Sequence, residues 1–286
     1  MGLQMPQLTG RYLDNITMSK NKKSIDENLR ASGVTITEYS AKCMFGTIVH
    51  SDLIKDILSE ALKILNSSLY KSYDYSLAGR ISNGKQAKIE LDKAPHCIVE
   101  FKDIVEKLSH VYVERFFSTA YGDSKIFSGK CNLHDMWIVE QKKNDYNPLH
   151  IHNNQSPAGL SGVLYLETPE CISEYSRYKN AQQSESFVVE KGRCEIDGWI
   201  NLDYGSQTSP DLNNFKMPEK ISIPPVPGYC ILFPQDTAHQ VYPFDGDGSR
   251  ICISFNVNVW YDQTGVTQWS DILLANNLLA NKNKSI

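Results

Sequence analysis

Hydrophobic and polar positions follow two rhythms along this chain. Residues 34–39 (Val-Thr-Ile-Thr-Glu-Tyr) are rich in β-branched side chains, with Val34 and Ile36 on one face, and predict a strand. Residues 44–49 predict a second. The rhythm then turns helical. Leu53, Ile54, Ile57, Leu58, Ala61, Leu62, Ile64 and Leu65 form one broad apolar face, and Ser51 is placed to cap that helix. A second helix is predicted over about residues 98–120, marked by Val99, Ile104, Val105, Leu108, Val111, Tyr112 and Phe116, with a stop near Gly122. Between the helices, an aromatic segment over 73–81 and a polar one reaching Pro95 predict a loop, with a lid over a site as its functional reading.

From Asn132 the two-residue rhythm returns. Strands are predicted at 136–140, 146–152, 161–167, 229–233, briefly at 239–242, and at length over 250–260. Residues 170–220 are polar and irregular, an insertion with a hairpin around 187–190 and Asp197-Gly198. Many strands after two helices predict a mostly β chain with flanking helices (α+β): an antiparallel sandwich or barrel whose N-terminal helices pack on one sheet. Residues 1–33 read as a flexible arm, 34–274 as a single domain and 275–286 as a frayed tail.

Composition narrows the function classes. The 286 residues carry 22% charged and 41% hydrophobic side chains and a net charge of -4, so bulk electrostatics favours neither nucleic acid nor an anionic membrane. No apolar run is long enough to span a bilayer, and residues 1–6 lack a secretory pattern. The seven cysteines are scattered, with no Cys-x-x-Cys, as expected of free thiols in a reducing cytoplasm.

The candidate chemistry sits on the strands. In extended chain, His150 and His152 project to the same side, and Pro148 favours that conformation. Two neutral imidazoles make half of a divalent metal site. His239 follows an apolar strand and a turn, which suits a distant third ligand. Asp236, nearby in that turn, is the alternative to His152. On the last strand Arg250, Cys252 and Ser254 share one face, while Ile251, Ile253 and Phe255 share the face that suits packing against helices. An arginine and a serine on a buried strand require an anionic partner, which the guanidinium can grip with two parallel hydrogen bonds. Trp137 and Tyr146 are candidates for the pocket wall. His50, His96, His110 and His134 lack such company and read as structural.

These pieces, taken in order, resemble the iron(II)- and 2-oxoglutarate-dependent oxygenases. Residues 147–152 with 160–166, residues 227–234 with His239, and Pro243-Phe244 with 250–256 are similar to 2-oxoglutarate oxygenases found in marine bacteria and cyanophages. The resemblance covers roughly 130–260. It implies a double-stranded β-helix (a jelly-roll, cupin-like core), with Fe(II), 2-oxoglutarate and O₂. Carried over by position, His150 and His239 match metal ligands and Arg250 matches the residue that binds the distal carboxylate of 2-oxoglutarate, with Ser254 or Tyr165 assisting. His152 departs from the pattern, since most of the wider superfamily has Asp or Glu there. The implied activity is hydroxylation of a small-molecule or peptide substrate with release of succinate and CO₂. It would take place in the cytoplasm, that of a host if the gene is viral. The alternatives are a three-histidine cupin-type dioxygenase that uses no 2-oxoglutarate, and a non-catalytic jelly-roll binding module.

Overall fold

The computed structural model describes residues 29–39, 43–48, 50–121, 129–152, 158–172, 196–204 and 219–261. Eleven strands and two long helices account for most of them. The strands are β1 (Val34–Tyr39), β2 (Met44–Ile48), β3 (Lys85–Lys88), β4 (Gly129–Gln141), β5 (Asn147–His150) and β6 (Ala158–Glu167). They continue with β7 (Ile200–Tyr204), β8 (Glu219–Ile223), β9 (Tyr229–Pro234), β10 (Ala238–Val241) and β11 (Arg250–Tyr261). The helices are α1 (Ser51–Leu65) and α2 (His96–Tyr121).

Two antiparallel sheets result. The larger has the order β1-β2-β9-β6-β11-β4-β3 and the smaller β5-β10-β7-β8. This is the double-stranded β-helix, or jelly-roll, with both helices on the outer face of the larger sheet. The two layers of core follow from strand parity. On β11, Ile251, Ile253, Phe255, Val257 and Val259 pack in one cluster with Ile57, Leu65, Phe101, Leu108 and their neighbours on the helices. Phe101 and Phe255 meet edge to face at 5.7 Å. Cys252, on the opposite parity, joins Trp137, Val139, Val163, Tyr165, Ile200, Leu202, Ile231, Phe233 and Val241 in a second cluster between the sheets. Parity on β4 survives because of a bulge. Asn256 pairs with Asp135 but Val257 with Leu133, so His134 is the extra residue. Leu133 and Met136 therefore both reach the helix-side core.

Several expectations change. Ser51 is the first helical residue of α1; His50 is the N-cap and makes no side-chain capping bond. The buried stripe of α1 is Leu53, Ile57, Ala61 and Leu65, a strict i, i+4 row, with Asp52 and Lys63 matching the helix dipole at the two ends. On α2, Val99 and Phe116 are 44% and 36% exposed, so the buried stripe is narrower than the apolar pattern suggests. Leu29 is buried in the helix-side core, so packed chain begins before Gly33. The segment over 73–95 contains short 3-10 turns at Asp74–Ser76 and Leu91–Lys93, and the strand β3. The stop at Gly122, the hairpin at 187–190 and the tail over 275–286 lie outside the described residues. Among those described, no helix is long and apolar enough to cross a membrane.

Candidate active site

The smaller sheet brings the histidines together. β5 and β10 are antiparallel, and His150 stands directly opposite His239. β5 ends at His150, yet the chain stays extended: the His152 N–H donates to the Gln235 carbonyl at 2.9 Å. Leu149 and Ile151 face solvent at 48% and 54% exposure, so His150 and His152 both turn inward.

The three rings form one group. Their centroids lie 4.2 Å apart for His150 and His239, 4.9 Å for His152 and His239, and 5.1 Å for His150 and His152. One ligand atom from each falls within 4.8 Å of the others, and no carboxylate belongs to the group among the described residues. Asp236 is exposed on the turn after β9. Backbone carbonyls set the tautomers. His150 Nδ1 is 2.7 Å from the Pro148 oxygen and His239 Nδ1 is 2.9 Å from the Thr237 oxygen. A carbonyl only accepts, so each Nδ1 carries the proton and each Nε2 presents a lone pair. His152 Nε2 and His239 Nε2 approach to 3.1 Å. Two imidazole nitrogens about 2.1 Å from one divalent ion, at right angles, stand about 3 Å apart, so the spacing suits a shared ion. The residues fit a first-row metal.

Burial keeps these rings neutral. Desolvation lowers the pKa of all three; for His152, with the His150 charge adding to it, the value falls to about 4. The unfolded chain takes up these protons near pH 6.5, whereas folded His152 resists them to about pH 4. The metal-free protein should therefore lose stability as pH falls from 6.5 toward 4, and a His152→Phe variant should show a shallower loss. Denaturant melts across that range measure it; identical slopes for the two proteins would contradict the buried neutral ring.

Between the sheets a cavity opens from this group, lined by His150, His152, His239, Trp137, Phe233, Tyr165, Arg250, Cys252, Ser254 and Asn147 among others. The Trp137 ring lies 5.8 Å from that of His152, and the Phe233 ring 4.8 Å from that of His239. Arg250 is only 2% exposed. Its Nη1 donates to the Gly198 carbonyl and its guanidinium lies over the Tyr165 ring, but its Nε has no partner among the described residues. No carboxylate pairs with it among the described residues. A buried cation without a counterion costs several kcal/mol, on the order of 3–5, which a bound carboxylate offsets. Ser254 interacts with the thiol of Cys252 beside the guanidinium, and burial pushes the Tyr165 hydroxyl pKa up, keeping it a protonated donor.

Tyr146 departs from the expectation. It is 40% exposed and absent from the cavity wall. The cause is a bulge in β5: His150 pairs with His239 but Asn147 with Val241, three residues against two. Pro148, which has no N–H to leave unpaired, lies inside the bulge. Parity flips there, and Asn147 takes the inward position that simple alternation gives to Tyr146.

Residues 135–256 match the protein family described as "Putative 2OG-Fe(II) oxygenase". Over that stretch the chain is similar to the 2OG-Fe(II) oxygenases. The histidine group and Arg250 both lie within the matched residues. No curated protein sequence matches the chain. Similar solved structures include a Pseudomonas putida prolyl-4-hydroxylase, at 11% identity over 83% of this chain and 96% of that one, with a TM-score of 0.43. AviO1 from Streptomyces viridochromogenes Tue57 is 12% identical over 78% and 90%, with a TM-score of 0.48. HygX from Streptomyces hygroscopicus, with nickel and 2-oxoglutarate bound, is 10% identical over 81% and 84%, with a TM-score of 0.43.

Proposed function

We propose that this protein is a 2OG-Fe(II) oxygenase that hydroxylates a small-molecule or peptide substrate, with His150, His152 and His239 holding Fe(II) and Arg250 holding the distal carboxylate of 2-oxoglutarate. Residues 34–274 are read as the catalytic domain, acting in the cytoplasm. The observation that carries the reading is the shared cavity: three imidazole lone pairs at one place on its wall and a buried guanidinium with an unpartnered Nε at another. A dicarboxylate with a 2-keto acid at one end suits both.

Bound iron supplies the activation of O₂ that the side chains cannot perform. The chain's own work is orientation and exclusion. Arg250 sets the depth of the cosubstrate, with the Tyr165 and Ser254 hydroxyls as donors beside it. Pro148 and Thr237 carbonyls hold two of the ligand rings in their tautomers. Trp137 and Phe233 keep apolar surface against the rings, which limits water there. The overall reaction balances as substrate C–H plus 2-oxoglutarate plus O₂ giving substrate C–OH plus succinate plus CO₂.

The three-histidine set also favours a second reading, a cupin-type dioxygenase without cosubstrate. The two separate on product analysis. Iron-loaded protein given 2-oxoglutarate, O₂ and a panel of peptides and small metabolites should form succinate, faster with the right substrate. Substrate oxidation that proceeds equally without 2-oxoglutarate, and without succinate, would establish the second reading instead.

A further inference from the structure

The cavity has a polar wall that neither the metal nor the Arg250 assignment uses. The β5 bulge turns Asn147 inward, opposite Val241. Gln141, the last residue of β4, is 1% exposed and donates from Nε2 to Asn147 Oδ1 at 2.9 Å. Gln141 is also the cross-strand partner of Arg250. The amide of Asn147 is thereby fastened at the Arg250 end of the cavity. With Oδ1 engaged by Gln141, Nδ2 is its remaining polar atom, and it has no protein partner among the described residues. The backbone is built around this contact. A Cβ on Gly79 would lie 3.2 Å from Asn147 Oδ1 and 2.9 Å from Gln86 Oε1, so a glycine lets the chain before β3 lie close over the amides. Asp145 fixes the β4–β5 turn by accepting from the N–H groups of Lys142, Ser82, Asn83 and Gly84 at 2.7–3.1 Å.

We propose that Asn147 is a second anchor for the carboxylate that Arg250 binds, and that Gln141 is its positioning residue. The proposal rests on the cosubstrate reading above. A carboxylate has about four lone-pair sites, so a guanidinium fork leaves room for a further donor. A neutral amide N–H contributes about 1 kcal/mol, or about fivefold in affinity.

The test uses the 286-residue chain loaded with Ni(II), and calorimetric titration with 2-oxoglutarate or with 2-oxobutyrate. The second acid has the same keto-acid head and no distal carboxylate. Asn147→Asp keeps shape and the acceptor for Gln141 but replaces the donor with a repelling charge. It should weaken 2-oxoglutarate more than about tenfold, and Asn147→Ala about fivefold, with Ni(II) affinity unchanged. Neither should change 2-oxobutyrate affinity by more than about twofold, since the contact is absent there. Gln141→Leu should reproduce the selective loss in weaker form. Wild-type 2-oxoglutarate affinity in Asn147→Asp, or equal losses for the two acids, overturns the proposal. Wild-type protein that binds Ni(II) but neither acid overturns the cosubstrate reading and this anchor with it.

Discussion

Arg250→Met protein is expected to retain its metal and its stability but to lose its binding of 2-oxoglutarate. The substitution keeps side-chain volume and removes a cation that is 2% exposed and has no ion-pair partner among the described residues. Replacing a buried, uncompensated charge by an apolar side chain is neutral or stabilising, so the melting temperature should hold or rise. The Gly198 carbonyl loses its donor, a penalty of about 1–3 kcal/mol that removal of the buried charge offsets. Two charge-assisted bonds to a carboxylate contribute about 1.5–3 kcal/mol each, so affinity for 2-oxoglutarate should fall about a hundredfold or more, and succinate formation with it. Arg250→Lys keeps the charge without the planar fork and should fall between the two. Normal succinate formation by Arg250→Met would remove Arg250 from the cosubstrate site.

His239→Ala has the complementary effect. His239 is 4% exposed and central, with its ring nearest that of His150 and stacked on that of His152. Loss of an orienting hydrogen bond to a ligand typically weakens metal binding about 10–100-fold, and loss of the ligand itself should exceed that. Dialysed His239→Ala should hold far less than one ion per chain, and 2-oxoglutarate binding should vanish with the metal. Added imidazole should restore part of both. Full metal retention by His239→Ala, measured by elemental analysis after dialysis, would show that the ion is held elsewhere.

The contrast between these residues and others shows what the sequence could reveal. On β11, alternation runs unbroken from Arg250 to Val259, so both its helix-facing and its cavity-facing residues are legible from spacing. The same holds for His150 and His152, whose intervening residue Ile151 faces solvent although β5 has already ended. Parity fails where a strand carries an extra residue. The bulge around Pro148 moves Tyr146 out and Asn147 in, and nothing in the sequence of one strand reveals the count on its partner. Strand β3 reads Lys-Gln-Ala-Lys, which has no β propensity; it exists because β4 offers it a ladder, and its Gln86 is fully buried. Val99 and Phe116 show the opposite limit: an apolar residue at a helical spacing need not be covered by a neighbour.

His152 is the most informative residue of the group, because the sequence resemblance implies Asp or Glu at its position. The decisive measurement is a crystal soaked anaerobically with Ni(II), as a ferrous surrogate, and 2-oxoglutarate. One ion is expected, bound by Nε2 of His150, His152 and His239, with the distal carboxylate of 2-oxoglutarate on Arg250. An ion ligated by a carboxylate side chain while His152 stands aside, or 2-oxoglutarate bound away from Arg250, would contradict this arrangement.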